Sequence, residues 1–299
     1  MQEIDFNIFG KFIEQTCYIS VYACQACGSD SCDYAPGWEL VQVPCPGGSG
    51  GGGWDPGPEP GGGGPGDGTG FEPIGGGSGS GNNETLTPCE LGNNLASNST
   101  FKSKMEELKN SSENDNFEKG YLMKPANSPP SYTPMQGQPN SPEIPLQNYL
   151  DSSSDQYSGL IHSHYEGKLS VFTPADLISL YVMWQYGHMT SPAQNFVMGM
   201  VSENGTTYLL VIEDTNKFFN FFVDLVEEED PVSLLDNYFA GFSYNIDENA
   251  TNTHNEESFA KLLKQLNVGL KLMKGYPENF NQWKTVDVNG NVVSINPCP

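Results

Sequence analysis

The chain has 299 residues, with 37 acids against 13 bases and a formal net charge of −24, and every one of those bases is a lysine. Binding to a phosphate backbone needs clustered Lys or Arg that release counterions, and an anionic membrane surface repels such a chain, so nucleic acid and lipid headgroups are poor partners. No uninterrupted apolar run approaches the ~20 residues that span a bilayer.

Residues 1–45 hold two strand-like pieces, Tyr18–Tyr22 and Trp38–Val43, rich in β-branched and aromatic side chains. Five of the seven cysteines lie here: Cys17, Cys24, Cys27, Cys32 and Cys45. A small disulfide-stapled unit is expected. Zinc on Cys24, Cys27, Cys32 and Cys45 is the alternative, although their spacing does not match a paired CxxC template. The other two, Cys89 and Cys298, flank the rest of the chain, and the sequence leaves open whether they pair. Met1–Phe6 is acidic and lacks a basic segment followed by an apolar one. Taken with the cysteines and an Asn/Ser/Gly-rich composition, this favours a secreted or cell-surface protein that is part of a longer product.

Residues 46–88 are low in complexity, with runs such as Gly50–Gly53 and Gly61–Gly64 but no strict Gly-X-Y period. They read as a flexible tether. From Cys89 a folded domain, 89–299, is expected, and roughly two hundred residues suffice for one buried core. Phe101, Met105 and Leu108 fall at helical spacing over 100–110, with Ser99 or Thr100 as the cap. Asn116–Met123 reads as a short strand and 125–155 as a long loop. Ser158–Ser163 is strand-like, and Thr173-Pro174 opens a helix to about Tyr186. Phe196–Val201 and Tyr208–Ile212 form a hairpin around Asn204-Gly205. A helix over Phe218–Val226 ends in an acidic run, a second helix covers 256–274, and a last hairpin turns at Asn289-Gly290. Strands mixed with helices in this way predict an α/β (α+β) domain.

Chemistry is concentrated in Leu160-Ile161-His162-Ser163-His164, which holds two of the four histidines. On a strand, residues i and i+2 share a face, so both imidazoles point to one place, as a divalent ion requires. Asp176 follows at the start of the next helix and supplies a third ligand, leaving a zinc ion one open position. His188, at a helix end, and His254, in an Asn-rich stretch, read as surface residues.

His162-Ser163-His164, then Thr173-Pro174-Ala175-Asp176, preceded by Glu118-Lys119-Gly120-Tyr121-Leu122, resembles the JAMM motif of the JAB/MPN metallopeptidases. That pattern is a Glu on an early strand, then His-Ser/Thr-His, seven residues, Ser, two residues and Asp. The resemblance covers roughly residues 89–215. It implies a β-sheet flanked by helices, related to the cytidine-deaminase fold. It also implies zinc on His162, His164 and Asp176, Glu118 as general base, and Thr173 where the family's Ser assists the oxyanion. The implied substrate is a peptide or isopeptide bond in a protein or peptide.

This chain has eight residues rather than seven between His164 and Thr173, Thr for Ser, and Tyr165 where Pro is usual. A binding or scaffold module on the same fold, or the toxin-like end of an exported protein, is the alternative to a zinc hydrolase. The loop at 125–155 and the acidic run at 227–230 are the segments expected to shape specificity.

Overall fold

A computed structural model describes residues 84–125, 132–139, 143–150, 155–226, 228, 230–241 and 244–299, together with the backbone of two earlier strands. The chain divides into two compact units, Met1–Glu72 and Pro73–Pro299. In the first, β1 (Cys17–Cys24) and β2 (Tyr34–Val43) pair antiparallel, with Ile19 opposite Val41. The expected tether up to residue 83 and the cysteine chemistry of the first 45 residues lie outside the described residues.

The second unit is built on one eight-stranded mixed sheet. Its strands are β3 (Lys119–Met123), β4 (Tyr132–Gln136), β5 (Gly159–His164), β6 (Val197–Ser202), β7 (Thr207–Ile212), β8 (Leu270–Gly275), β9 (Trp283–Asn289) and β10 (Val292–Pro297). Their order is β10-β9-β8-β7-β6-β5-β3-β4. Only β5 and β6 run parallel, as they must where a helix, α3 (Pro174–Gln185), makes the connection. The architecture is therefore α/β in the α+β sense, a sheet with helices on both faces.

Alternation along the central strands divides the core in two. Ile161, Val197, Val201, Leu209 and Val211 pack with Leu91, Leu95, Phe101, Met105 and Leu108, which belong to α1 (Pro88–Ser97) and α2 (Ser99–Asn114). Leu160, Met198, Met200 and Tyr208 alternate with these and point to the other face, and all are buried. That face carries α3, α4 (Thr215–Val226), α5 (Pro231–Ala240) and α6 (Asn252–Leu266). Phe172, Phe239 and Phe259 meet there with ring centroids 5.7–6.2 Å apart. Burying such side chains contributes roughly 1.5–3 kcal/mol each.

The two sheet edges differ. Gly137 N–H donates to Glu118 C=O across the β3–β4 ladder, so Gln136 and Pro134 direct their backbone groups outward. Pro134 has no N–H there. The Tyr149 hydroxyl caps Gln136, accepting from its N–H at 3.1 Å and donating to its C=O at 3.0 Å. On the opposite side β10 pairs with β9 alone, and Val292 and Ile295 are exposed.

Several elements depart from expectation for physical reasons. The helix expected over 256–274 stops at Leu266, because Asn267 takes the left-handed conformation (φ 54°) and Gly269 follows at φ 74°. A Cβ on Gly269 would lie 2.3 Å from the Asp214 carbonyl, so the chain turns there and Leu270–Gly275 becomes β8. Asn98 rather than Ser99 or Thr100 caps α2, accepting from Phe101 N–H at 3.0 Å. The expected loop at 125–155 contains β4 and a 3-10 turn at Leu146–Tyr149. The expected start at Cys89 is too late, because α1 opens at Pro88 behind a capping box between Thr87 and Glu90. His254 lies in the first turn of α6 rather than in a loop. His188 is buried, not on the surface, with Nδ1 donating to the Asp155 carbonyl at 3.0 Å.

Candidate metal centre

His162 and His164 lie at the C-terminal end of β5, the strand that runs into the α3 crossover, and both are almost fully buried (3% and 1% exposed). Asp176 sits in the first turn of α3 because Thr173 and Pro174 start the helix there. Thr173 Oγ1 accepts from Asp176 N–H, and the Asp176 carboxylate accepts from Thr173 N–H at 2.7 Å. This reciprocal cap uses Oδ2, which also accepts from the Thr173 hydroxyl at 2.9 Å. The other oxygen, Oδ1, turns toward His162.

Three donors converge. His162 Nε2 is 3.1 Å from His164 Nε2 and 3.0 Å from Asp176 Oδ1, and His164 Nε2 is 3.5 Å from Asp176 Oδ2. In a tetrahedral zinc site with bonds of 2.0–2.1 Å, neighbouring donor atoms stand about 3.3 Å apart. The observed separations of 3.0–3.5 Å straddle that value, with Asp176 meeting His162 through Oδ1 and His164 through Oδ2. His164 Nδ1 donates to the Leu169 carbonyl at 2.8 Å, which leaves the Nε2 lone pair facing the centre. His162 Nδ1 has no hydrogen-bond partner. Among the described residues this is the one group of three such side chains close enough to hold an ion.

Glu118, immediately before β3, is buried, with Oε1 4.0 Å from His164 Nε2. Burial pushes its carboxyl up to about 8, the His164 imidazole pulls it down, and nearby Asp176 raises it further. Asp176 behaves in the opposite way: burial raises its carboxyl, but the two imidazoles against it outweigh burial and hold it well below the usual range. A cation at the centre would favour the ionised form of both carboxylates.

Ser163, the middle residue of the motif, was not singled out in the sequence. It points to the α2 face, and its Oγ accepts from Lys119 N–H at 3.0 Å. This contact extends the β3–β5 ladder by one position and sets where Glu118 sits. Its cue in the sequence was the alternation that put its neighbours on the opposite face.

A cleft opens beside the centre. Met135, Ile144, Leu146 and Leu160 form apolar walls, Glu118, His162 and Asp176 the polar floor, and Thr173 one rim. Met135, Ile144 and Leu146 come from the 125–155 segment expected to shape specificity, whereas no described residue of the 227–230 run lines the cleft. All five residues singled out in the sequence are thus brought to one place.

No protein-family model matches this chain, and no curated protein or solved structure shows significant similarity to it. Among the described residues, no helix is long and apolar enough to cross a membrane.

Proposed function

We propose that the domain of residues 84–299 is a zinc-dependent peptidase or isopeptidase of the JAB/MPN type. The observation that carries this reading is the convergence of His162 Nε2, His164 Nε2 and the Asp176 carboxylate within 3.0–3.5 Å of one another, with the buried Glu118 carboxyl 4.0 Å from His164. Zinc, when bound there, supplies Lewis acidity. Glu118 is placed to take a proton from the attacking water as it adds to the scissile carbonyl. The same carboxyl then delivers that proton to the leaving amine as the C–N bond breaks, giving a carboxylate and an amine. The apolar walls of the cleft exclude water and take an extended peptide segment. The net charge of −24 and the absence of arginine make nucleic acid a poor substrate.

The Thr173 hydroxyl directs its proton to Asp176 Oδ2. This favours a second reading, in which the domain holds a metal and binds a partner without cleaving it. The two separate on one experiment. Purified protein is expected to carry one zinc per chain, and Glu118→Gln is expected to keep the metal while abolishing peptide cleavage. Absence of stoichiometric zinc overturns both readings, and metal without cleavage in the wild type leaves the second.

The disulfide between Cys89 and Cys298 supports an oxidising compartment and hence a secreted or cell-surface location.

A further inference from the structure

We propose that Thr206 and Asn255, neither of which touches the metal centre, are positioning residues for His164. The inference rests on the reading of that centre as a zinc site.

On the side away from the centre the His164 ring is aimed by the bond from Nδ1–H to the Leu169 carbonyl at 2.8 Å. Leu169 belongs to the eight-residue connector between His164 and Thr173. Lys168 N–H closes a turn on the Tyr165 carbonyl, and Gly167, at φ 84°, has nothing within 4 Å of where a Cβ would stand. An exposed turn of this kind does not by itself fix the direction of the next carbonyl.

The fixing occurs one residue later. Ser170 is 2% exposed and is gripped from two remote elements. Its carbonyl accepts from Thr206 Oγ1 at 2.6 Å, and its hydroxyl oxygen accepts from Asn255 Nδ2 at 3.1 Å. Thr206 lies in the β6–β7 hairpin. Its hydroxyl accepts in turn from Ser202 Oγ at 2.7 Å, since its own proton is committed to Ser170. Asn255, on α6, is also held, donating to the Asp247 carbonyl at 2.9 Å and accepting from Asp247 N–H at 3.3 Å. Every member of the clamp except Asp247 is buried.

Burial of Val171 and Phe172 anchors the chain beyond this point, but side-chain packing does not set the rotation of a peptide plane. Hydrogen bonds at both the carbonyl and the side chain of Ser170 do. They fix the position of Ser170, which limits the peptide plane before it, the one that carries the Leu169 carbonyl, and that carbonyl holds the Nδ1–H tautomer and tilt of His164. Partners that orient a ligating imidazole typically change metal affinity about 10- to 100-fold when removed.

The test compares Thr206→Val, which keeps shape but loses the hydroxyl, with Thr206→Ser, which restores it. Ser170→Ala, which removes only the acceptor for Asn255, serves as a milder second variant should Thr206→Val not fold. Zinc affinity is measured by chelator competition on the full chain, and ligand geometry by the visible spectrum of the cobalt-substituted protein. Thr206→Val is expected to weaken zinc about 10- to 100-fold and shift the cobalt bands, Thr206→Ser to return both to wild-type values, and Ser170→Ala to weaken zinc by a smaller factor. Wild-type zinc affinity and cobalt spectrum in Thr206→Val or Ser170→Ala, with only a lowered melting temperature, overturns the proposal. If the wild type binds no zinc, the metal reading fails separately. The clamp is then read from the nitrogen NMR shifts of His164 in the metal-free protein: loss of the Nδ1–H tautomer in the variants upholds it, and an unchanged tautomer overturns it.

Discussion

The Ser163 hydroxyl bridges the backbone of Lys119, accepting from its N–H at 3.0 Å and donating to its C=O at 3.3 Å. One strand therefore carries both imidazoles on one face and, on the other, the side chain that holds the segment bearing Glu118. Ser163→Ala would leave a part-buried N–H without this partner, an expected loss of about 1 kcal/mol. Because Glu118 is placed through Lys119, peptide cleavage is expected to fall while zinc stays stoichiometric. Urea unfolding together with metal analysis and a cleavage assay checks both halves.

Glu118 gives the metal-free protein a pH dependence of definite sign. Its carboxyl rises from 4.5 unfolded to about 8 folded, so between those values the native state holds a proton that the unfolded state has lost. Stability therefore falls as pH rises from 4.5 to 8, by at most roughly 3–5 kcal/mol. Asp176, held low in the folded state, acts in a different window: the stability it contributes is present above its unfolded value of 3.8 and lost as pH falls below that. Urea midpoints in chelator should decline from pH 5 to pH 8 in the wild type and flatten in Glu118→Gln. An equal slope in both proteins would sink the assignment.

Thr173 can be tested for its two roles separately. As the cap of α3, its replacement by Ala is expected to lower stability by about 0.5–2 kcal/mol, and Ser should restore it. If the hydroxyl also assists an oxyanion, kcat in Thr173→Ala falls by more than the loss of folded protein explains, with KM little changed. Steady-state kinetics at a temperature where the variant is fully folded distinguishes the two.

Cys89 and Cys298 join α1 to the residue that follows β10, at a sequence separation of 209. Closing so long a loop constrains the unfolded chain, and opening it is expected to lower stability by about 2–5 kcal/mol. Zinc affinity should be unaffected, because β5 lies across the sheet from β10. Denaturant melts and chelator titrations of the Cys89→Ser, Cys298→Ser double variant measure the two effects.

What was legible in the sequence is what local chemistry dictates. Gly205 and Gly290 take positive φ, which a tight hairpin turn requires, so both hairpins could be placed. Thr173-Pro174 with Asp176 three residues on marked the start of α3, and the His-x-His spacing placed two donors on one face. The Thr87-Pro88-Cys89-Glu90 cap of α1 and the Asp230-Pro231 start of α5 carried the same kind of signal and were missed. In β8 the failure was one of degeneracy, since Leu270 and Met273 continue the helical spacing of Phe259, Leu262, Leu263 and Leu266 although the chain has already turned at Asn267. The burial of Glu118 and the grip of Asn255 on Ser170, 85 positions away, were out of reach, because neither leaves a local pattern.

The unequal edges of the sheet bear on how copies of the domain could associate. A strand approaching β4 meets Pro134, which offers no donor, and Gln136, whose backbone groups are already taken by Tyr149. Among the described residues no strand pairs with the outer side of β10. The Tyr149 hydroxyl and the Pro134 ring thus make β4 a poor template for a further strand.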